Sequence, residues 1–234
     1  MKLPDTFVPE KNLETDIDRL LSNKKKFYQP YSTSLDNLIV SDQLSVETIY
    51  FDESLRKIQE AGFERHLLPW ESFTIILGYI DGKIKNEFHA AAKDMASSFG
   101  CTEWLSMAVK RDRDVLVCYA NPKNLVWDDS SKIYKPDGIL SFDPALSTEI
   151  SIKGVPSEEW VDLKRLSEDF VKYFYTRKFE ELPDEINSND DYAQIFLPAE
   201  GGIWPVGRGA NWLKYSLSTS TCLKRISRGV KLKK

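Results

Sequence analysis

The sequence predicts an α+β protein in which helices near the N-terminus lead into a mostly antiparallel sheet, with a long amphipathic helix packed on that sheet. Three observations support this fold class. Apolar residues recur every three or four positions from Phe73 to Phe99, as in helices, and alternate from Trp104 to Ala120, as in strands. A second helical stripe runs from Trp160 to Phe174 and predicts the long helix, at about 157–179.

The first apolar stripe predicts two helices, at about 69–80 and 83–99. Pro69 suits the first turn of a helix because its missing N–H is not needed there, and Gly100 suits the end of the second helix. A strand at 73–80 is the alternative. Two further short helices are predicted closer to the N-terminus, each beginning at a residue that can cap it: Asn12 and Asp52.

The alternating stretch predicts a pair of antiparallel strands at 103–109 and 115–120. Both faces of this pair are fairly apolar. The polar block 110–114 between the strands is a plausible hairpin connection. Further strands are predicted from short apolar runs between turn residues: 125–127, 139–142, 150–153 and 192–197.

The composition is that of a globular protein without a membrane span. The chain has 234 residues, of which 41% are hydrophobic and 29% are charged, and its longest nearly apolar run is far short of the ~20 residues that cross a bilayer. The polar N-terminus contains no apolar signal region, so an intracellular, cytoplasmic location is expected. Its three cysteines form no C-x-x-C pair, which argues against a disulfide framework or a zinc site.

Charge divides the chain into an acidic body and a basic end. Residues 201–234 contain eight lysines and arginines and no acid, and since the whole chain carries −4, residues 1–200 carry −12. The prediction is therefore one α+β domain at 1–200, followed by a basic, aromatic segment at 201–234 that is either separate or integrated into the same domain. Such an asymmetry favours an anionic partner for the basic end.

Aromatic and cationic residues are interleaved in the basic end, a pattern typical of proteins that bind single-stranded nucleic acid. Bases stack on aromatic rings while lysine and arginine contact phosphates. An acidic protein surface is the alternative partner. The alternative interpretation of the pattern is that its aromatic residues belong to the core. The residues expected to bind are Arg208, Trp212, Lys214, Tyr215, Lys224, Arg225 and Arg228.

A second pattern lies at 136–153 and resembles the Pro-Asp…(Asp/Glu)-x-Lys arrangement of the restriction-endonuclease-like nucleases. Pro136 and Asp137 precede one predicted strand, and Glu149 and Lys153 lie on the next, but Ser151 stands where the family has its second acid. The resemblance implies that Asp137 and Glu149 hold magnesium and that Lys153 positions the attacking water. Outside this alternative, no metal or cofactor is expected.

Taken together, the patterns favour a protein that binds a partner over one that transforms a substrate. The expected partner is anionic, with nucleic acid as the leading candidate, and it is bound by the basic end. Two alternatives stay open: a metal-dependent nuclease with an altered site, and a protein–protein interaction module. The histidines, His66 and His89, are expected to be core or surface residues, because neither accompanies a nucleophile in a known local arrangement.

Overall fold

The structure, a computed structural model, describes residues 35–41, 50–97, 102–175, 194–208, 215–217, 225–226 and 228–233. These ranges contain four α-helices, twelve strands and two short 3-10 helices. Helices precede a mostly antiparallel sheet, as the α+β prediction requires. None of the helices in these ranges has the length and apolar character needed to cross a membrane. The helix predicted after Asn12 lies outside the described residues.

The helices before the sheet follow the apolar periodicity of the sequence. They are α1 (Phe51–Glu60), α2 (Pro69–Ile80) and α3 (Asn86–Ser97). Pro69 opens α2, and the Glu71 carboxylate accepts a hydrogen bond from the Leu68 N–H at 2.8 Å, which caps the first turn. The prediction of helices over 69–80 and 83–99 is confirmed as far as the chain is described, and the alternative of a strand at 73–80 is wrong.

The central sheet contains eight strands. The strands of the chain are β1 (Leu38–Val40), β2 (Thr102–Asp112), β3 (Val115–Ala120), β4 (Leu125–Asp128), β5 (Ile133–Pro136), β6 (Asp143–Ser151), β7 (Trp160–Asp162), β8 (Gln194–Phe196), β9 (Trp204–Arg208), β10 (Tyr215–Ser216), β11 (Arg225–Ile226) and β12 (Val230–Leu232). The central order is β6-β3-β2-β9-β10-β8-β7, with β11 beside β2. Pairs β8–β10 and β2–β11 are parallel, and the other pairs are antiparallel.

Two smaller ribbons complete the topology. Strand β1 pairs with β12, and β4 pairs with β5. The predicted strands at 103–109 and 115–120 are confirmed as the β2–β3 hairpin, which turns at Arg113 and Asp114. The segment 201–234 supplies β9 to the middle of the central sheet and β12 to the small ribbon, so strands of the basic end are built into the same sheets as the acidic body.

The strand predicted at 139–142 is wrong. The chain there forms a loop, and the preceding strand β5 pairs with β4 instead. Strand β6 then begins at Asp143, earlier than predicted, even though Pro144 follows. Proline is tolerated because β6 lies at one end of the central sheet, where the N–H that it lacks is not needed by a neighbouring strand.

The long helix predicted at 157–179 is also wrong in its first half. Residues 160–162 form strand β7, which pairs with β8, and the helix α4 covers only Glu168–Tyr175. Two local features favour this outcome: Glu158 adopts a left-handed backbone with φ of 56°, and Ser167 caps α4 by accepting a hydrogen bond from the Phe170 N–H. Residues 176–179 lie outside the described ranges.

Both faces of the central sheet are covered. One face packs against α2, α3 and α4, and the other packs against α1 and the β4–β5 ribbon. The first face is lined by alternate residues of β2 and β3: Leu105, Met107, Val109, Leu116, Cys118 and Ala120. The second face is lined by the intervening positions: Trp104, Ala108, Val117 and Tyr119.

A buried ionic network joins the C-terminal segment to the rest of the fold. Glu103 lies between Arg208 and Arg228, and these three residues are 2%, 3% and 1% exposed. Arg208 Nη2 is 2.8 Å from Glu103 Oε2, and Arg228 Nε is 3.0 Å from Glu103 Oε1. Arg228 also forms an ion pair with Asp94 on α3. Two guanidinium groups and the Glu103 carboxylate are thus buried, and the partly exposed Asp94 carboxylate completes the charge balance.

We expect the substitution Glu103→Gln to lower the free energy of unfolding by about 3–5 kcal/mol, because it leaves buried arginine charge uncompensated. The matched control is Glu87→Gln, which removes an exposed ion pair with Lys233 and should cost less than about 1 kcal/mol. Urea unfolding of both variants measures the difference. Equal, small effects of the two substitutions would contradict the role assigned to Glu103.

Candidate functional site

Three of the residues predicted to bind nucleic acid are buried in the interior of the protein. Arg208 and Arg228 belong to the buried ionic network around Glu103. Tyr215 is fully buried, and its hydroxyl donates a hydrogen bond to the Pro69 carbonyl at 3.1 Å. The expectation that these side chains form an exposed surface is therefore corrected: the arginines are buried with carboxylates, and the tyrosine ring is core.

The other four predicted binding residues have no described side chain. Trp212, Lys214 and Lys224 lie outside the described ranges. Arg225 begins β11, where its backbone pairs with Thr102, but its side chain is not among those described. The basic, aromatic surface thus stays a prediction for these four positions.

The structure does not bring together the residues of the nuclease-like pattern. Asp137 lies beside Asn124, to whose carbonyl its N–H donates a hydrogen bond, beyond the end of the ladder where Ala120 pairs with Asp143. Glu149 pairs with Val117, three residues along β3 from the Ala120 that pairs with Asp143, which is about 10 Å in a strand. Lys153 is farther along in the same direction. In the described ranges, no group of three or more His, Cys, Asp and Glu side chains is arranged to hold a metal ion.

An open cleft of about 490 Å³ lies between β12 and the start of β6. Residues from four separate parts of the chain line it, and they include apolar, cationic and acidic side chains. The lining residues are Glu64, Arg65, Asn121, Lys123, Asp143, Leu146, Val230, Lys231 and Leu232. The cleft is the candidate functional site.

The first wall of the cleft is the edge of β12. Val230 exchanges backbone hydrogen bonds with Arg65, whereas the Lys233 N–H donates to the Asn37 carbonyl on the side of β1. Because backbone groups alternate in direction along a strand, Leu232 directs its N–H and C=O away from β1, as Val230 does. The Glu64 N–H still donates to the Val230 carbonyl, and the chain before it turns towards α1, where the Phe63 N–H donates to the Ile58 carbonyl. The Leu232 edge is therefore left open within the described part of the chain.

The opposite wall is the turn after β3. Asn121 adopts a left-handed backbone with φ of 54°, and its N–H donates to the Ser106 carbonyl at 2.8 Å. Its side-chain oxygen accepts a hydrogen bond from the Ser106 hydroxyl, and Asn121 lines the cleft. Leu146 is fixed by its carbonyl, which accepts a hydrogen bond from the Tyr173 hydroxyl at 2.7 Å.

The cleft contains charges of both signs. Arg65 is neutralised by Glu71, with two nitrogen–oxygen distances of 2.7 Å. The other four charged residues of the lining form no ion pair with any residue that the structure describes: Glu64, Lys123, Asp143 and Lys231. Lys231 instead lies over the Phe63 ring, with its Nζ 5.2 Å from the ring centroid. These charges are available to a ligand.

Sequence reasoning found only part of this site. Lys231 lies in the basic end, although not among the residues expected to bind, and the turn at Asn121-Pro122 is visible in the sequence. The signal that was missed is long-range: the cleft exists because β12 pairs with β1 and bridges to Arg65, and no local pattern predicts those pairings.

His66 lies directly after Arg65 in the chain but does not contribute to the cleft. It is fully buried, and its Nε2 is 2.8 Å from the Ser54 hydroxyl. Burial, together with the nearby Arg65 charge, lowers the pKa of His66 to about 3. Because neither Ser54 nor His66 is exposed, this pair is a neutral core contact, and of the two predicted places for His66, core or surface, the core is the observed one.

No protein-family model, curated protein or solved structure matches this chain. The candidate site therefore rests on the contacts and charges of its own residues.

We expect the neutral state of His66 to make stability depend on pH. Between pH 6.5 and about 3 the unfolded chain binds a proton that the folded protein does not, so the free energy of unfolding falls as the pH falls. From pH 7.5 to 5 this contribution amounts to about 2 kcal/mol. Urea unfolding measures the free energy of unfolding at each pH. Between pH 7.5 and 5 this free energy should fall by about 2 kcal/mol more in the wild type than in a His66→Gln variant. Parallel pH profiles would show that His66 titrates normally.

Proposed function

We propose that this protein is a binding protein that holds an extended peptide segment of a partner protein in the cleft between β12 and β6. The observation that carries the proposal is the open backbone edge at Leu232, which faces a cleft with apolar and charged walls. An extended peptide satisfies such an edge by adding a strand, since its own backbone groups supply the missing donor and acceptor. This is the protein–protein interaction alternative of the sequence analysis.

The side chains of the cleft suit a peptide in other respects. Leu146 and the 56% exposed Leu232 supply apolar contact, and Lys123 and Lys231 suit acidic side chains of the partner. Asn121 adds a polar residue on the far wall. Backbone pairing thus supplies affinity that is independent of sequence, and the walls supply the preference for particular side chains.

A peptide is favoured over nucleic acid because of the acids in the same cleft. Glu64 and Asp143 place two carboxylates beside Lys123 and Lys231, so the four charges cancel. A phosphate chain carries a negative charge at every nucleotide and is repelled by the carboxylates as much as it is attracted by the lysines. A peptide can present charges of either sign at successive positions.

We expect Leu232→Pro to weaken peptide binding about two- to twelvefold relative to Leu232→Ala. Both substitutions remove the leucine side chain, but only proline removes the N–H that faces the cleft, and one such hydrogen bond contributes about 0.5–1.5 kcal/mol. Neither variant removes a hydrogen bond to β1, because the Leu232 N–H points away from that strand. The probe is a fluorescent peptide enriched by the wild-type protein from a random 16-residue display library, and fluorescence anisotropy measures its affinity.

Three outcomes count against the proposal. In the first, no peptide is enriched by the wild-type protein. In the second, the proline and alanine variants bind the enriched peptide equally well. In the third, a single-stranded oligonucleotide binds with steep salt dependence and displaces the peptide, which would assign the site to nucleic acid. Thermal melting of both variants verifies that they are folded during the measurement.

A further inference from the structure

The two faces of strand β12 differ in chemistry at the open edge. Successive side chains of a strand point to opposite faces, so Leu232 lies on one face, and Lys231 lies on the other together with Gly229. The apolar Leu232 side chain is 56% exposed, whereas Lys231 is a partly buried cation. A segment added at this edge therefore meets an apolar residue on one face and a positive charge on the other.

The Lys231 side chain is held by an aromatic ring. Its Nζ lies 5.2 Å from the centroid of the Phe63 ring, a distance at which the ring attracts a cation. The ring lies on the Lys231 face of β12 because it packs directly against Gly229, where an added Cβ atom would overlap with the ring. The Phe63 N–H donates to the Ile58 carbonyl at 3.0 Å, which fixes the backbone that carries the ring. The glycine leaves room for the ring, and the ring restricts the position of the ammonium group.

The charge of Lys231 is available to a ligand. Its ammonium group forms no ion pair with any residue that the structure describes, although Glu64 lines the same cleft. A ring face attracts a cation without neutralising it, so a carboxylate can still bind on the other side of the ammonium group. Because the side chain is already restricted, it loses less conformational entropy on binding than a freely rotating lysine.

We propose that Lys231 binds an acidic side chain of the partner segment, and that this acid is next in sequence to the residue that pairs with Leu232. Residues directly opposite each other on paired strands share a face. The partner residue opposite Leu232 therefore lies beside that apolar side chain, and its neighbour lies on the Lys231 face. Pairing does not extend beyond this neighbour, because Val230 already exchanges backbone hydrogen bonds with Arg65.

The inference rests on the proposed function and adds the chemistry of the partner. The partner segment carries an apolar residue and an acidic residue side by side at the point where it joins the edge of β12. The order of the two along the partner depends on whether its strand runs parallel or antiparallel to β12, but in both cases they are adjacent.

The test is a charge exchange between the protein and the peptide. The probe is the peptide enriched by the wild-type protein from the 16-residue library, compared with a copy in which the acid beside an apolar residue is replaced by lysine. We expect Lys231→Glu to weaken binding of the original peptide about fivefold or more, and to bind the lysine peptide more tightly than the wild type does. The control is Lys153→Glu, the same change of charge at an exposed position beyond the far end of β6, which should alter binding by less than about twofold.

The substitution Phe63→Leu tests whether the ring positions Lys231. Leucine keeps an apolar side chain beside Gly229 but offers no ring face to the cation, so binding of the original peptide should weaken about two- to fivefold. A peptide whose acid is replaced by glutamine should bind Phe63→Leu as well as it binds the wild type, because it has no charge for Lys231 to attract. Equal weakening of both peptides would overturn the positioning role of Phe63. Thermal melting verifies that each variant is folded.

The outcomes separate the inference from the proposed function. The inference is overturned if the enriched peptides share no acid beside an apolar residue. It is also overturned if Lys231→Glu and Lys153→Glu bind alike while Leu232→Pro still binds more weakly than Leu232→Ala, since the segment would then pair with the edge without using Lys231. If Leu232→Pro binds as well as Leu232→Ala, the proposed function itself fails. Recovery of binding between Lys231→Glu and the lysine peptide supports the inference.

Discussion

The C-terminal part of this fold depends on the carboxylate of Glu103. It lies in the interior at the start of β2, where burial of an isolated charge would be costly, and it is compensated by two arginines that come from 105 and 125 residues farther along the chain. An arginine buried without a carboxylate would be equally unfavourable. These residues therefore require each other, and their pairing selects the one arrangement in which β9 and Arg228, two residues before β12, both meet β2.

That arrangement positions the cleft. Arg228 directly precedes Gly229, whose N–H and C=O exchange hydrogen bonds with the Ser41 hydroxyl and the Ser41 N–H. The same arginine donates a hydrogen bond to the Ser41 carbonyl at 3.4 Å. Strand β12 leaves this anchor with its direction fixed, pairs with β1 on one side and bridges to Arg65 on the other. The open edge at Leu232 is thus held by rigid contacts on the residues just before it.

Local periodicity predicted the elements in which the tertiary packing agrees with the local preference of the chain. The stripe from Phe73 to Phe99 produced α2 and α3, and the alternation around Met107 produced β2 and β3, because packing there agrees with local preference. The apolar stripe from Trp160 predicted a helix that begins too early. Trp160 instead pairs with a strand that is distant in sequence, and the helix begins only after the cap at Ser167. Long-range pairing overrides a local helical pattern there.

The candidate site was less predictable than the fold for a related reason. Arg208 and Arg228 look like surface cations in a basic segment, and only the position of Glu103 turns them into buried residues. Lys123, Asn121 and Lys231 come from separate turns and strands, so their proximity depends on strand pairings. Composition identifies a basic end, but it does not distinguish buried cations that stabilise the fold from cations that line a cleft.

Strand β6 lies at one end of the central sheet, and its edge has features that oppose self-association. A long exposed strand edge can template the addition of identical chains and so begin aggregation. On β6, Pro144 has no N–H to offer, the Leu146 carbonyl accepts a hydrogen bond from Tyr173, and the Ser151 carbonyl accepts one from Ser167. These contacts occupy the edge and shorten the stretch that another chain could use. A Tyr173→Phe variant would free the Leu146 carbonyl of β6 while its ring stays packed. We therefore infer that this variant would form fibrils more readily than the wild-type protein.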